Sequence, residues 1–135
     1  MKVAVRYYTQ TGNTKKLANA IAAELGIEAK SIDVPLEEDT DILFLCNSVY
    51  WAGVDGKVKM FLQSPGAKIG QLVNVSTAAL IESTYGQMKK LSAEAGISLS
   101  EREFHCKGSF KMLHKGRPNA EDLKAVRAFA KDIVA

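Results

Sequence analysis

The sequence predicts an α/β fold built on a parallel sheet, and three observations support this prediction. Short apolar runs rich in β-branched residues alternate with longer stretches of helical period, a pattern typical of consecutive βαβ units. Residues 42–45 are apolar at every position, as expected of a central strand covered on both faces. The chain has 135 residues, of which 47% are hydrophobic and 24% are charged. That size and composition predict a single domain spanning residues 1–135.

The first half of the chain is predicted to contain a strand, a helix and two further strands. Their approximate bounds are 2–8, 13–25, 28–33 and 41–47. In the helix, Leu17, Ile21 and Leu25 share one face, and Gly26 ends it. The connection at 34–40 holds no helix; its roughly seven residues span at most ~25 Å, whereas parallel crossovers usually take a dozen or more. We keep the parallel interpretation because every other connection supports it.

The second half is predicted to contain three helices and two strands in alternation. They are a helix at 56–63, a strand at 72–78, a helix from 83 or 84 to 95, a strand near 98–106 and a helix after 119. Gly96 ends the middle helix, and Asn119 is the N-cap of the last one, with Glu121 and Asp122 in its first turn. The apolar faces expected to point inward are Met88, Leu91 and Ala95, then Leu123, Val126, Ala130 and Ile133.

The segment between the first strand and the first helix carries the clearest chemical signal. It contains Thr9, Gln10, Thr11, Gly12, Asn13 and Thr14. A strand-to-helix turn presents backbone N–H groups at the positive end of a helix dipole, and hydroxyl and amide donors join them here. No Lys or Arg lies in the segment, and the Gly-x-x-x-x-Gly-Lys-[Ser/Thr] and Gly-x-Gly-x-x-Gly patterns are absent. The segment suits one monophosphate held by neutral donors; the alternative is a polar turn with an ordinary N-cap.

The run Thr-Gln-Thr-Gly-Asn-Thr at 9–14 resembles the phosphate-loop signature of flavodoxins, Thr/Ser-x-Thr-Gly-Asn-Thr. In that family the loop wraps the phosphate of FMN without basic side chains. The resemblance implies a three-layer, doubly wound α/β fold with a five-stranded parallel sheet of order 2-1-3-4-5. It also implies FMN as the cofactor and electron transfer as the function.

Two further segments lie where the resemblance places the flavin ring. The first follows the third strand and comprises Tyr50, Trp51, Ala52 and Gly53. Aromatic side chains stack on a flat heteroaromatic ring, and glycine lets backbone groups meet its polar edge. The alternative is that Tyr50 and Trp51 cap the core. The second segment follows the fourth strand, where Thr77 and Ala78 are expected to make backbone contacts to the ring.

Other classes of function are disfavoured. Cys46 and Cys106 are too few and too far apart for a disulfide framework or a zinc site, and are expected to be buried, inert thiols. His105 and His114 have no ligand-spaced partners, so no metal site is expected. Eighteen Lys and Arg against 15 Asp and Glu give a net charge of +3, too weak to indicate nucleic acid. The sequence has no apolar stretch of the ~20 residues that a membrane helix needs, and no signal peptide is visible. The protein is therefore expected to be cytoplasmic, without membrane contact.

The segment 107–117 departs from the flavodoxin pattern, because that family is typically acidic and this segment is basic. Its charged residues are Lys107, Lys111, Lys115 and Arg117. It follows the fifth strand, at the edge of the sheet that carries the flavin loops. It is either a solvated loop or a docking site for an acidic redox partner or for the phosphates of a nicotinamide nucleotide.

The main interpretation is an FMN protein that carries electrons between redox partner proteins, with no catalytic residue of its own. Two alternatives remain open. One is a small NAD(P)H-dependent FMN reductase acting on a quinone or similar acceptor. The other is a non-redox module that binds a phosphate ligand.

Overall fold

The computed structural model describes residues 1–8, 12–49, 56–78, 83–108 and 116–135, with the backbone alone described at Val49. In chain order the elements are β1 (Val3–Tyr7), α1 (Asn13–Leu25), β2 (Ala29–Ser31), β3 (Thr40–Val49), α2 (Gly56–Gln63), β4 (Ile69–Ala78), α3 (Tyr85–Ala95), β5 (Phe104–Lys107) and α4 (Ala120–Val134). None of these helices has the length and apolar character needed to cross a membrane.

The five strands form one sheet of order β2-β1-β3-β4-β5, in which every neighbouring pair is parallel. α1 and α4 pack on one face of the sheet with Phe44, and α2 and α3 pack on the other with Leu43 and Leu45. Because consecutive side chains of a strand point to opposite faces, the continuous apolar run of β3 serves both cores. The predicted three-layer architecture, strand order and inward helix faces are confirmed.

The bounds of α1 and α2 agree with the prediction, whereas the fifth strand is shorter than predicted. β5 begins at Phe104, although a strand was expected from about residue 98. Before β5 the chain touches β4 at one isolated bridge, between Leu72 and Leu99. The carbonyl oxygen of Ser100 then accepts a hydrogen bond from the Tyr85 hydroxyl at 3.0 Å. Backbone hydrogen bonds join Leu72 to Ser98 and Ser100, and regular pairing resumes only where Phe104 meets Val75.

The return from β2 to β3 at residues 32–39 contains no helix, as predicted, and still joins two parallel strands. β2 is only three residues long, so the chain has a short distance to travel back. Ile32 and Leu36 are buried in the core on the α2 and α3 face. The crossover therefore covers the sheet where a connecting helix would otherwise lie.

A buried side chain of β1, Arg6, holds this crossover against the sheet. Only 5% of Arg6 is exposed. Its guanidinium donates hydrogen bonds to the carbonyl oxygens of Val34 (Nε, 2.8 Å), Pro35 (Nη2, 3.2 Å) and Val5 (Nη1, 3.1 Å). Burial lowers the pKa of Arg6, and the nearby Glu37 offsets only part of this effect. The side chain is still charged, because a guanidinium does not lose its proton in proteins. A buried positive charge is thus satisfied by backbone carbonyl dipoles.

The crossover also packs against the turn between α2 and β4. The Leu36 amide donates to the carbonyl oxygen of Pro65 at 2.8 Å. Gly66 has a φ of +97°, and a Cβ added there would lie 2.7 Å from the Leu36 carbonyl oxygen. Both the backbone angle and the close approach require glycine at this position.

α4 begins with a capping box that an arginine reinforces. The Asn119 side chain accepts from the Asp122 amide at 3.0 Å, and the Asp122 carboxylate accepts from the Asn119 amide at 2.8 Å. Arg117 donates to the same carboxylate through Nε (2.6 Å) and Nη2 (2.8 Å). Burial alone would raise the pKa of Asp122, but the hydrogen bonds from Arg117 and Asn119 outweigh it and lower that pKa.

Replacing Arg6 by Met should lower the free energy of unfolding by at least about 2 kcal/mol, because the carbonyls of Val34 and Pro35 lose their donors. Arg6→Lys should recover only part of the loss, since one ammonium cannot reproduce the planar fork. Urea unfolding followed by circular dichroism measures the effect. Lys68→Met, at an exposed position, is the control and should change stability by less than about 0.5 kcal/mol. An Arg6→Met loss no larger than the control's would contradict the role.

Asp122→Asn should destabilise the protein by about 1–2 kcal/mol at neutral pH, because the cap and the ion pair both weaken. The folded pKa of Asp122 lies below that of an unfolded aspartate. Its contribution is therefore complete above about pH 4 and is lost as the pH falls through the folded pKa. Urea unfolding of both proteins between neutral and acid pH tests this, with exposed Glu121→Gln as control. A stability difference that does not shrink in acid would contradict the assignment.

Candidate functional site

The chain connections diverge where β1 and β3 end. β1 leads through α1 to β2 on one side, while β3 leads through α2 to β4 on the other. β3 also runs past β1, since Tyr7 pairs with Cys46 and β3 continues to Val49 beside Ala78. Such a divergence leaves a crevice where open α/β sheets bind ligands. We call this side of the molecule, formed by the last residues of the strands and the first turns of the helices, the carboxyl edge.

Gly12 begins α1 in the left-handed conformation, with φ of 88°, and occupies the N-cap position. A Cβ added there would meet nothing within 4 Å, so the backbone angle and not the space requires glycine. The Gly12 carbonyl oxygen accepts the Lys16 amide at 3.3 Å. A Ser or Asp at this position would place its own oxygen over the first amides of the helix, and glycine brings no such oxygen.

Asn13 and Thr14, the first residues of α1, are 3% and 0% exposed. The Thr14 hydroxyl donates to the carbonyl oxygen of Tyr8 at 3.1 Å. Because a hydroxyl has a single proton to donate, Thr14 here joins the two ends of the turn to each other. The predicted phosphate ligands that lie outside the described residues are Thr9, Gln10 and Thr11.

The first turn of α1 suits an anion. Its amides carry the partial positive charge of the helix dipole, and none of its residues is acidic. Lys15 and Lys16 follow Thr14 and are exposed. The Lys15 ammonium lies 5.9 Å from the centroid of the Tyr7 ring, which places its charge at the end of β1. A glycine cap, backbone amides and nearby cations together fit a phosphate monoester.

The residues predicted to meet a flat ring are described only on β4. Those outside the described residues are Tyr50, Trp51, Ala52 and Gly53. Thr77 and Ala78 end β4, pair with Ser48 and Val49, and are each 0% exposed. The carbonyl oxygen of Ala78 accepts the Gly108 amide at 3.3 Å. The end of β4 is therefore at the carboxyl edge, and its last carbonyl is tied to the chain that follows β5.

A buried polar network beneath the carboxyl edge was not predicted from the sequence. Asn47, Asn74 and Thr84 are each 0% exposed. The Asn47 amide donates to the Asn74 carbonyl oxygen (2.7 Å), the Thr84 hydroxyl donates to the Asn47 carbonyl oxygen (2.6 Å), and the Asn74 amide donates to the Thr84 hydroxyl (3.0 Å). Thr84 is the N-cap residue of α3, so the network joins β3, β4 and the start of α3. The available signal was asparagine inside two otherwise buried strands.

The two cysteines are buried free thiols, as predicted. Burial raises the pKa of Cys46 far above its ordinary value and raises the pKa of Cys106 to about 12. Both side chains are therefore protonated at neutral pH, and a thiol is a poor nucleophile and redox group. β4 lies between their strands in the sheet. In the described part of the chain, no group of three His, Cys, Asp or Glu residues could hold a metal ion.

The basic segment 107–117 is described at its two ends. Lys107 ends β5 and pairs with Ala78. Arg117 donates two hydrogen bonds to Asp122, which raise the pKa of Arg117 and compensate its charge. Asp122, which binds Arg117, lies outside the segment 107–117. The net positive charge at this end is therefore smaller than the residues of the segment alone indicate. The remaining basic residues, Lys111 and Lys115, lie outside the described residues.

No family model and no curated protein sequence matches this chain. The backbone, in contrast, is similar to that of known structures. A flavodoxin from the domain Archaea superposes with a TM-score of 0.72 at 18% identity, covering 98% of this chain and 96% of that one. A short-chain flavodoxin associated with a bacterial microcompartment gives 0.71 at 19% identity, covering 99% and 97%.

A third similar structure is much longer than this chain. The rubredoxin oxygen:oxidoreductase of the anaerobe Desulfovibrio gigas superposes with a TM-score of 0.72 at 14% identity. The match covers 96% of this chain but 34% of the oxidoreductase, so the same backbone occurs there as about a third of a larger enzyme. Together with the strand order and the diverging connections, these similarities show that the chain has the flavodoxin-like fold.

Proposed function

We propose that this chain binds FMN and carries electrons between redox partner proteins. The observation that supports the proposal most is the start of α1, where left-handed Gly12 precedes a helix N-terminus without acidic residues. This turn lies where the connections of β1 and β3 diverge, a position at which open α/β sheets hold ligands. FMN, when bound, would supply the redox chemistry.

The residues of the chain would hold and shield the cofactor. The turn at 9–14 would bind the phosphate through backbone amides and the hydroxyls of Thr9 and Thr11. Thr14, whose hydroxyl donates to Tyr8, would keep the ends of the turn in place. Tyr50 and Trp51 would cover the ring and exclude water, and the backbone at 77–78 would border it.

Partner proteins would approach the cofactor at the carboxyl edge. The segment 107–117 is expected to contribute to docking through Lys107, Lys111 and Lys115, whose positive charge would attract an acidic partner. Arg117 would contribute less, because Asp122 already binds it.

FMN should bind at least about tenfold more tightly than riboflavin, because riboflavin lacks the phosphate that the turn would bind. Titration of flavin-free protein with FMN, FAD and riboflavin, followed by flavin fluorescence, measures this. Riboflavin binding as tightly as FMN would contradict the role of the turn. Oxidation of NAD(P)H by the pure protein would favour the reductase over the carrier.

Gly12→Ala should weaken FMN binding more than it weakens riboflavin binding, because alanine resists the left-handed backbone that shapes the phosphate turn. Gly26→Ala is the matched control. Gly26 caps the other end of the same helix with φ of +69°, and an added Cβ would meet nothing within 4 Å at either glycine. Both variants should lose about 1 kcal/mol of stability. If they change the FMN-to-riboflavin ratio equally, the turn does not bind the phosphate.

FMN binding should quench the fluorescence of Trp51, the only Trp of the chain, if its loop lies against the ring. Trp51→Ala and Tyr50→Ala should both weaken FMN binding by the loss of stacking. Tyr85→Phe is the control, since the Tyr85 hydroxyl binds Ser100 on the α3 side. Unchanged FMN affinity in both loop variants would place the ring elsewhere.

A further inference from the structure

Three of the four helices carry charges that oppose their own dipoles. A helix N-terminus favours acidic side chains and disfavours cations. α4 follows this rule, with Glu121 and Asp122 in its first turn. α1, α2 and α3 have no acid in the first turn and no base in the last. α1 instead places Lys15 and Lys16 among its first four residues, and α2 places Lys57 and Lys59 there.

These four lysines flank the carboxyl edge on both faces of the sheet. α1 packs on one face and α2 on the other, so their first turns lie on either side of the ends of β1 and β3. The Lys15 ammonium lies 5.9 Å from the centroid of the Tyr7 ring, and the Lys57 ammonium lies 5.9 Å from that of Tyr8. These contacts hold positive charge where the chain leaves β1.

The opposite edge of the sheet is mostly acidic. Its described acids, at the carboxyl ends of helices and before the strands, are Glu24, Glu28, Glu37, Glu38, Asp39, Asp41, Glu94, Glu101 and Asp132. The described cations there, which offset part of this charge, are Lys2, Lys68, Arg102 and Lys131. At the carboxyl edge the described acids are Asp33, Glu103, Glu121 and Asp122; Glu103 accepts a hydrogen bond from Ser83, just before α3, and Arg117 binds Asp122. The described charges therefore form a dipole with its positive end at the carboxyl edge.

An apolar side chain stands within the positive region. Met60, which follows Lys59 in α2, is 69% exposed. It lines a groove between α2 and the crossover together with apolar and polar side chains, namely Ile32, Asp33, Pro35, Lys57, Phe61 and Ser64. An exposed Met beside lysines matches the make-up of protein interfaces, in which an apolar centre is enclosed by charged groups.

We infer that the carboxyl edge, with Lys15, Lys16, Lys57 and Lys59 around it, is a docking face for an acidic protein that exchanges electrons with the bound cofactor. The inference rests on the proposed function for the electron exchange, but the charge distribution that supports it does not. The lysines weaken the first turns of α1 and α2, and in return the whole dipole orients an acidic partner towards the cofactor. The same dipole repels that partner from the opposite edge.

Cytochrome c and its fully succinylated derivative test the sign of the docking face. Native cytochrome c is basic, and succinylation converts its lysines to carboxylates, so the two probes carry opposite charge around the same haem. Protein that is saturated with FMN and reduced beforehand gives one electron to each ferric haem. The absorbance of the haem measures the rate of this reduction. The rate with the succinylated probe should fall at least about tenfold as salt rises from about 0.01 M to about 0.2 M. The rate with the native probe should not fall.

Two double variants of equal net charge locate the face. Lys57→Glu with Lys59→Glu reverses charge at the carboxyl edge away from the phosphate turn, and Lys68→Glu with Lys131→Glu reverses charge at the opposite edge. The first pair of substitutions should lower the rate of electron transfer to the succinylated probe at low salt by at least about tenfold. The second pair should change that rate by less than about twofold. Equal effects of the two pairs, or faster attack by native cytochrome c that salt suppresses, would overturn the inference.

A measurement that needs no flavin separates this inference from the proposed function. Ferric succinylated cytochrome c, added to isotope-labelled protein as purified, should broaden amide signals in the first turns of α1 and α2 and spare those around Glu38 and Glu94. Broadening there in a protein that binds no flavin would support the docking face and overturn the electron carrier. FMN binding with broadening confined to another surface, or with none, would overturn the docking face.

Discussion

Two hydrogen bonds from the Arg6 guanidinium, to the carbonyl oxygens of Val34 and Pro35, hold the crossover from β2 to β3, and a third binds the Val5 carbonyl of β1 itself. The position of the site follows from that crossover. Because residues 32–39 return along one face of β1, β3 lies beside β1 and the sheet continues to the other side. The connections after β1 and β3 must then diverge, and the crevice opens between them. A helix normally makes such a return. Here a short β2, two buried apolar side chains and one buried cation replace it.

The carboxyl edge is held from beneath by polar groups in the same way. Asn47, Asn74 and Thr84 bind one another with no exposure to solvent. A buried amide is costly unless it is satisfied, and a satisfied network specifies one arrangement of the elements that carry it. Because Thr84 is the N-cap of α3, this network fixes the position at which α3 begins relative to β3 and β4.

Local chemistry decided how much of this could be predicted. α1 begins beside Gly12 and ends at Gly26, and α4 begins at Asn119; in each case the terminal residue has its own conformational or hydrogen-bonding preference. The extent of β5 depends instead on where its chain pairs with β4, at Leu72 and then again from Val75, which no local pattern reveals. The role of Arg6 has no sequence signal, because its hydrogen-bond partners are backbone carbonyl oxygens and every residue has a backbone carbonyl.

Part of the candidate site has a local signal as well. The signature at 9–14 includes a glycine, and the structure gives Gly12 a positive φ, while the binding of phosphate by this turn stays a prediction. The partner of Arg117 could not be foreseen, since Asp122 lies outside the basic segment and reaches it through the cap of α4. The charge dipole could not be foreseen either, because it depends on which ends of the helices share an edge.

The contrast between α4 and the other helices indicates which parts of the chain favour stability and which favour function. α4 has a capping box, acids at its start and a lysine in its last turn, and each of these stabilises a helix. α1 has none of them and is held by burial, with Leu17, Ala18 and Ile21 each 0% exposed. Because packing supplies the stability of α1, its first turn can carry lysines and a glycine cap, which suit an anion. The local rules of helix stability are broken at the carboxyl edge, where departures from them are expected at a functional site.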